Sequence, residues 1–141
     1  MTRLLPLAAI LSLTLGLLGC HSHSAPTGAA PQPAAPIVKA GDLLAEYGAN
    51  AVAADAKYKG KPLQVNGKFG TAQKAPLMGY AVQVLPEDAS DVNLSGVECF
   101  IVESAQADVA KLQPGAMISV QGMCDGQVLG QVKLSKCVIV K

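Results

Sequence analysis

Hydrophobic residues are distributed along the chain in three successive regimes. Residues Leu4 to Leu18 are almost wholly apolar, interrupted by Pro6 and Gly16, whereas residues 21–36 show no hydrophobic period and contain four prolines. From Asp42 onward, Leu43, Leu44, Tyr47, Ala51, Val52 and Ala54 recur at approximately three-to-four spacing, which predicts a helix. Gly48 and Asn50 weaken its middle, where a bend is expected, and Gly60 and Pro62 end it as left-handed cap and breaker.

Alternation of period two then takes over. Leu63, Val65, Gly67 and Phe69 alternate with Gln64, Asn66 and Lys68. Tyr80, Val82 and Val84 alternate with Ala81 and Gln83, and this phase assigns Tyr80 to the core. Val97, Cys99 and Ile101 alternate with Glu98, Phe100 and Val102. Ser104 is read as the N-cap of a short helix from Ala105 to Leu112, closed by Pro114-Gly115. Ile118 and Val120 begin a fourth strand that runs to Asp125-Gly126, a hairpin dipeptide, and a fifth strand covers roughly residues 131–140. The expected fold is mainly β: a five-stranded OB-fold barrel with an N-terminal helix and a short helix between strands 3 and 4. A β-sandwich would need more strands and no internal helix.

The apolar opening divides the chain. Arg3 supplies a positive start, and about fifteen apolar residues are too few for a membrane span, which needs roughly twenty. Leu17-Leu18-Gly19-Cys20 resembles the lipobox of bacterial lipoproteins, although that family favours a smaller residue than Leu18. The resemblance implies a signal peptide over 1–19, palmitate-type acylation of Cys20, and membrane anchoring, since two or three acyl chains hold a bilayer where one does not. His21, and not Asp, follows Cys20, which resembles sorting to the periplasmic face of the outer membrane in a Gram-negative host. Residues 20–36 are then a lipidated Cys with a Pro/Ala-rich tether, reaching at most roughly 50 Å at about 3.1 Å per residue. Residues 37–141 are the folded domain, about a hundred residues, enough for one modest core.

Within that domain, residues 45–61, Gly96-Val97-Glu98-Cys99-Phe100, Val120-Gln121-Gly122-Met123-Cys124-Asp125-Gly126 and Leu134-Ser135-Lys136-Cys137-Val138-Ile139 resemble the bacterial tRNA_anti-like OB-fold family. The resemblance covers roughly residues 40–141. It implies the barrel and an envelope lipoprotein of unassigned activity; the family name records likeness to anticodon-binding domains and carries no tRNA activity with it.

Charge narrows the partners. Formal net charge is +1, and with Arg3 set aside ten lysines face ten acids. Nucleic-acid binders normally carry a basic excess. OB-folds that hold single strands place aromatics and cations on the outer face of the second and third strands. The candidate face here is Lys68, Gln83, Glu98 and Phe100, with a single outward aromatic, so nucleic acid is an unexpected ligand. A protein, peptide or small molecule is expected instead, with an oligonucleotide or oligosaccharide as the alternative. Lys57, Lys59 and Lys61 flank Tyr58 at a helix C-terminus, where cations offset the helix dipole.

Catalysis is not expected. Both histidines, His21 and His23, lie in the tether, which leaves no base beside a nucleophile and no fixed metal site. Glu87, Asp88 and Asp91 cluster in what is read as a solvated loop, and no phosphate loop, HExxH or CxxC occurs. No cofactor is called for. With Cys20 assigned to lipid, Cys99, Cys124 and Cys137 remain for an oxidising compartment. In an OB barrel the last strand lies beside the third, which pairs Cys99 with Cys137 and leaves Cys124 a buried thiol. Cys137 is out of phase with Val132 and Leu134, so this pairing requires a bulge near Ser135.

Overall fold

The computed structural model describes residues 34–90 and 95–140. The expected signal peptide, Cys20, both tether histidines and Asp91 lie outside the described residues. In chain order the elements are β1 (Ile37–Lys39), α1 (Ala40–Ala49), α2 (Ala51–Tyr58), β2 (Pro62–Ala75), β3 (Gly79–Leu85), β4 (Val97–Ile101), a 3-10 turn at Glu103–Ala105, α3 (Gln106–Val109), β5 (Met117–Val128) and β6 (Gln131–Val140).

The sheet order is β1-β2-β3-β4-β6-β5, and β2 also pairs with β5, closing β2 to β6 into a five-strand barrel. All barrel pairings are antiparallel except β4 with β6. The 14-residue β2 makes closure possible. Its first half pairs with β5 (Leu63 opposite Gly122) and its second half with β3 (Phe69 opposite Val84). Gly67 lies where the two halves meet, and a Cβ there would collide with the Leu85 carbonyl, so only glycine permits this close approach.

The alternation places Leu63, Val65, Val82, Val84, Val97, Cys99, Val120 and Leu134 inside the barrel, and a register shift brings Cys137 in beside them, all fully buried. Leu43, Tyr47, Ala54 and Tyr58 of the helices pack onto that core. Fully burying a side chain such as Leu43 contributes about 1.5–3 kcal/mol.

The sequence reading needs correction in five places. The expected bent helix is two helices, because Asn50 adopts an extended conformation, ends α1 through its N–H on the Glu46 carbonyl, and caps α2 with its side chain on the Ala53 N–H at 3.1 Å. A three-residue strand, β1, was not anticipated; it runs parallel to β2 with Ile37 opposite Gln64. Asp125-Gly126 is no hairpin turn: β5 continues to Val128, Gly126 sits at φ 87 within a register shift, and the chain reverses at Leu129-Gly130. Gly126 instead makes room for α2, since a Cβ there would lie 2.5 Å from Asp55 Oδ1. The inter-strand helix is shorter than Ala105–Leu112, a 3-10 turn leading into α3. Tyr80 is 41% exposed. It pairs with Lys74 near the tip of the β2–β3 hairpin, past the end of the core.

Candidate functional site

The candidate face is assembled across β3, β4 and β6. Gln83 lies directly opposite Glu98, and Ala81 opposite Phe100, in the antiparallel β3–β4 pair. These side chains point outward because their neighbours Val82, Val84, Val97 and Cys99 point in. The parallel β4–β6 pair then sets Lys133 beside Glu98, with Lys133 Nζ 2.9 Å from Glu98 Oε2 and the two side chains only 23% and 19% exposed. The same ammonium lies 5.5 Å from the centroid of the Phe100 ring. Phe100 is 8% exposed. Three of the four expected residues, Gln83, Glu98 and Phe100, thus share one surface, but the aromatic is covered and the acid neutralised. Lys68 stands on β2 opposite Leu85 and lines a neighbouring hollow of about 370 Å³ with Thr71, Gln83 and Ser90.

Lys133 escaped the sequence reading. It alternates with Val132 and Leu134, which marks it as outward; its partner Glu98 is distant in sequence and adjacent only through the parallel pairing.

Two hairpin tips project at the ends of this face. Leu77 follows β2 and is 107% exposed; Leu129 follows β5 and is 98% exposed. Tyr80 opposite Ile101 places the first tip beyond the end of β4, and Lys133 beside Glu98 places the second near its start. Both leucines hold left-handed backbone, φ 66 and 52, where a glycine would be unstrained. Beside the first tip runs an apolar groove of about 460 Å³ lined by Ala72, Tyr80, Gln106, Ala107, Val109 and Ala110.

The lysine cluster is structural. Lys57 grips Glu46 at 2.8 and 2.7 Å, Lys59 pairs with Asp55 at 3.3 Å, and Lys61 donates to the Lys57 carbonyl at 2.6 Å. Lys57 and the Tyr58 hydroxyl together hold the Glu46 carboxyl below the usual carboxylate range. Of the loop acids, Glu87 pairs with Lys39 at 3.2 Å. No group of three or more potential metal ligands converges among the described residues.

Cys99, Cys124 and Cys137 are all fully buried and all present as thiols, so the expected Cys99–Cys137 bond is not formed in this structure. The expected neighbourhood is there. Cys99 lies opposite Leu134 and Ile101 opposite Cys137, with the register slipping between them. Lys136 takes up the slip at φ 54 and turns Cys137 inward, the bulge that the phase of Val132 and Leu134 demanded. The neighbouring Cys137 thiol first, and then burial, hold the Cys99 thiol well above its ordinary range. Cys124 faces another way: its Sγ lies 3.6 Å from the Tyr47 hydroxyl, which donates to Asp55 Oδ1 at 3.1 Å.

The strands thus form a closed, mainly β, five-strand barrel. The family model tRNA_anti-like matches residues 8–138, and the chain belongs to the tRNA_anti-like family. Among solved structures it is similar to a Klebsiella pneumoniae protein provisionally described as a nucleic acid-binding lipoprotein. That likeness has a TM-score of 0.57 at 20% identity and covers 74% of this chain and 92% of the other. A structure of RecG bound to a three-way DNA junction aligns with a TM-score of 0.44 at 18% identity, over 74% of this chain and 12% of that one, too low for inference. No functionally curated protein matches the chain.

Proposed function

We propose that the protein is an envelope lipoprotein, anchored through acyl chains on Cys20, whose OB-fold barrel is a non-catalytic module that binds a protein or peptide. The strand order β2-β3-β4-β6-β5 closing on β2, with α3 between β4 and β5, is the connectivity such barrels use, and their ligands lie across the second and third strands between the two hairpin loops. Here those positions are the Gln83–Glu98 surface and the tips at Leu77 and Leu129.

The observation that carries this reading is the cover over Phe100. Single-strand binding needs exposed aromatic faces and a cationic track. On this face the one aromatic lies beneath Lys133, and Lys133 is itself paired with Glu98. What remains exposed at the rims is mainly aliphatic, Leu77 and Met78 beside Tyr80 at one tip and Val128 and Leu129 at the other, suited to an apolar polypeptide surface. The Klebsiella neighbour's provisional description suggests an address and a ligand. The lipoprotein address agrees with Leu17-Leu18-Gly19-Cys20, and the periplasmic face of the outer membrane follows for a Gram-negative host. The nucleic-acid ligand does not suit this face.

Fluorescence anisotropy with a labelled single-stranded oligonucleotide tests the choice of ligand. The full chain is expected to give no saturable signal at micromolar protein and physiological salt. A micromolar affinity that weakens steeply with added salt would establish the oligonucleotide alternative.

A further inference from the structure

Lys39, Lys57, Lys59, Lys111 and Lys133 each stand beside a carboxylate, and Lys61 donates to backbone carbonyls. Lys74 and Lys136 are exposed to water. Lys68 is different: among the described residues it is the half-buried lysine with no acid beside it. Its neighbours Gly67 and Phe69 are buried, so it points outward, opposite Leu85 and on the same side of the barrel as Gln83 and Glu98. Since Lys133 neutralises Glu98, the uncompensated charge of this face is the Lys68 ammonium.

The ground around Lys68 is shaped by two details. The β2–β3 register slips between Phe69 and Ala72, so Gly70 and Thr71 bulge beside it. Leu85 is pressed between two glycines, since a Cβ on Gly70 would lie 3.0 Å from Leu85 Cδ1 and one on Gly96 would lie 3.0 Å from Leu85 Cδ2. The hollow of about 370 Å³ therefore has an aliphatic floor at Leu85, hydroxyls at Thr71 and Ser90, and a wall at Pro114-Gly115, with the ammonium at its edge.

We propose that this hollow receives the C-terminal residue of a bound polypeptide, its α-carboxylate paired with Lys68 and its side chain resting on Leu85. The inference rests on the reading that this face holds a polypeptide, and it names the part of the partner that is recognised. Charge complementarity selects the ligand. One fixed cation matches one carboxylate, whereas a nucleic-acid strand needs a repeating cationic track. A half-buried ammonium also attracts an anion more strongly than one in open water. A chain end brings carboxylate and side chain together within a single residue, which fits a cation at the edge of an aliphatic floor. An internal Asp or Glu would require the chain to continue in both directions, and Pro114-Gly115 closes one of them.

Two measurements on the full chain test this. In the first, a photo-crosslinker at position 83 is activated in living cells. The yield of protein adduct is expected to fall about 10-fold in Lys68→Gln, the loss of one charge-assisted hydrogen bond. In Lys68→Arg, which keeps the charge, it should stay within about two-fold of the parent. An undiminished adduct in Lys68→Gln, or an equal loss in both variants, overturns the inference and leaves the polypeptide reading standing. A parent chain that gives no adduct, or only one removed by nuclease, overturns that reading itself. In the second, a water-soluble carbodiimide applied to isolated envelopes condenses the Lys68 amine with the bound carboxyl into an amide. Trypsin then spares Lys68 and leaves a fragment of residues 60–74. That fragment is expected to carry the partner's last peptide, joined through its α-carboxyl. A link to an Asp or Glu side chain, or to a carboxyl of this same chain, overturns the chain-end assignment.

Discussion

Lys133 lies over the ring of Phe100, its ammonium 5.5 Å from the ring centroid, in a position that also serves Glu98. One long side chain thereby removes both features that would suit a nucleic acid. The cation–π contact contributes about 0.5–2 kcal/mol at a partly desolvated site. It also turns Phe100 from a platform for ligands into packing over Ala81, which is itself only 1% exposed.

Phe100→Ala is accordingly expected to lower stability by about 2–4 kcal/mol, close to the cost of losing a core aromatic. Urea denaturation measures it. A loss below about 0.5 kcal/mol would mean that the ring is free for a ligand.

Tyr47 gives the fold a signature at alkaline pH. Burial first, then its contacts with Cys124 and Asp55, hold the phenol protonated far above its ordinary range near 10. An unfolded tyrosine ionises near pH 10, so this contribution to stability is complete below about pH 10 and declines as pH rises above it. Tyr47→Phe is expected to cost about 1 kcal/mol at pH 7 through lost hydrogen bonds. It should also flatten the decline between about pH 10 and 11. Parallel stability–pH curves for the two proteins would contradict this.

The strained leucines should matter for binding and not for folding. Replacing Leu77 or Leu129 by glycine relieves about 1–2 kcal/mol of left-handed strain and adds about 0.5–1 kcal/mol of unfolded-chain entropy. Thermal midpoints should therefore hold or rise by a few degrees. A fall beyond about 5 °C would show that the side chains serve the fold.

Acylation at Cys20 is read out by labelled palmitate. Incorporation is expected in the wild-type chain and should vanish in Cys20→Ser; label persisting in the variant would remove the anchor from the account.

The barrel was legible because inward residues such as Leu63, Val65, Val82 and Val84 follow a strict period of two wherever both neighbours are barrel strands. The same rule misplaced Tyr80, since alternation reports which way a side chain points and not whether anything lies beneath it. Asp125-Gly126 misled for a related reason: Gly126 has the positive φ of a turn, but Asp55 approaching from α2 is what requires it. Phe100 was expected as an exposed aromatic and is 8% exposed. Lys133 reaches its ring through a parallel pairing that local pattern does not encode. The bulge before Cys137 could be foreseen because the phase of three residues conflicted within one strand.

Photo-crosslinking in living cells, from a benzoyl-phenylalanine introduced at position 83, addresses the central claim most directly. The account predicts a discrete adduct that resists nuclease, is digested by protease, and disappears when Leu77→Asp and Leu129→Asp are combined. An adduct removed by nuclease, or one that survives both leucine substitutions, would contradict it.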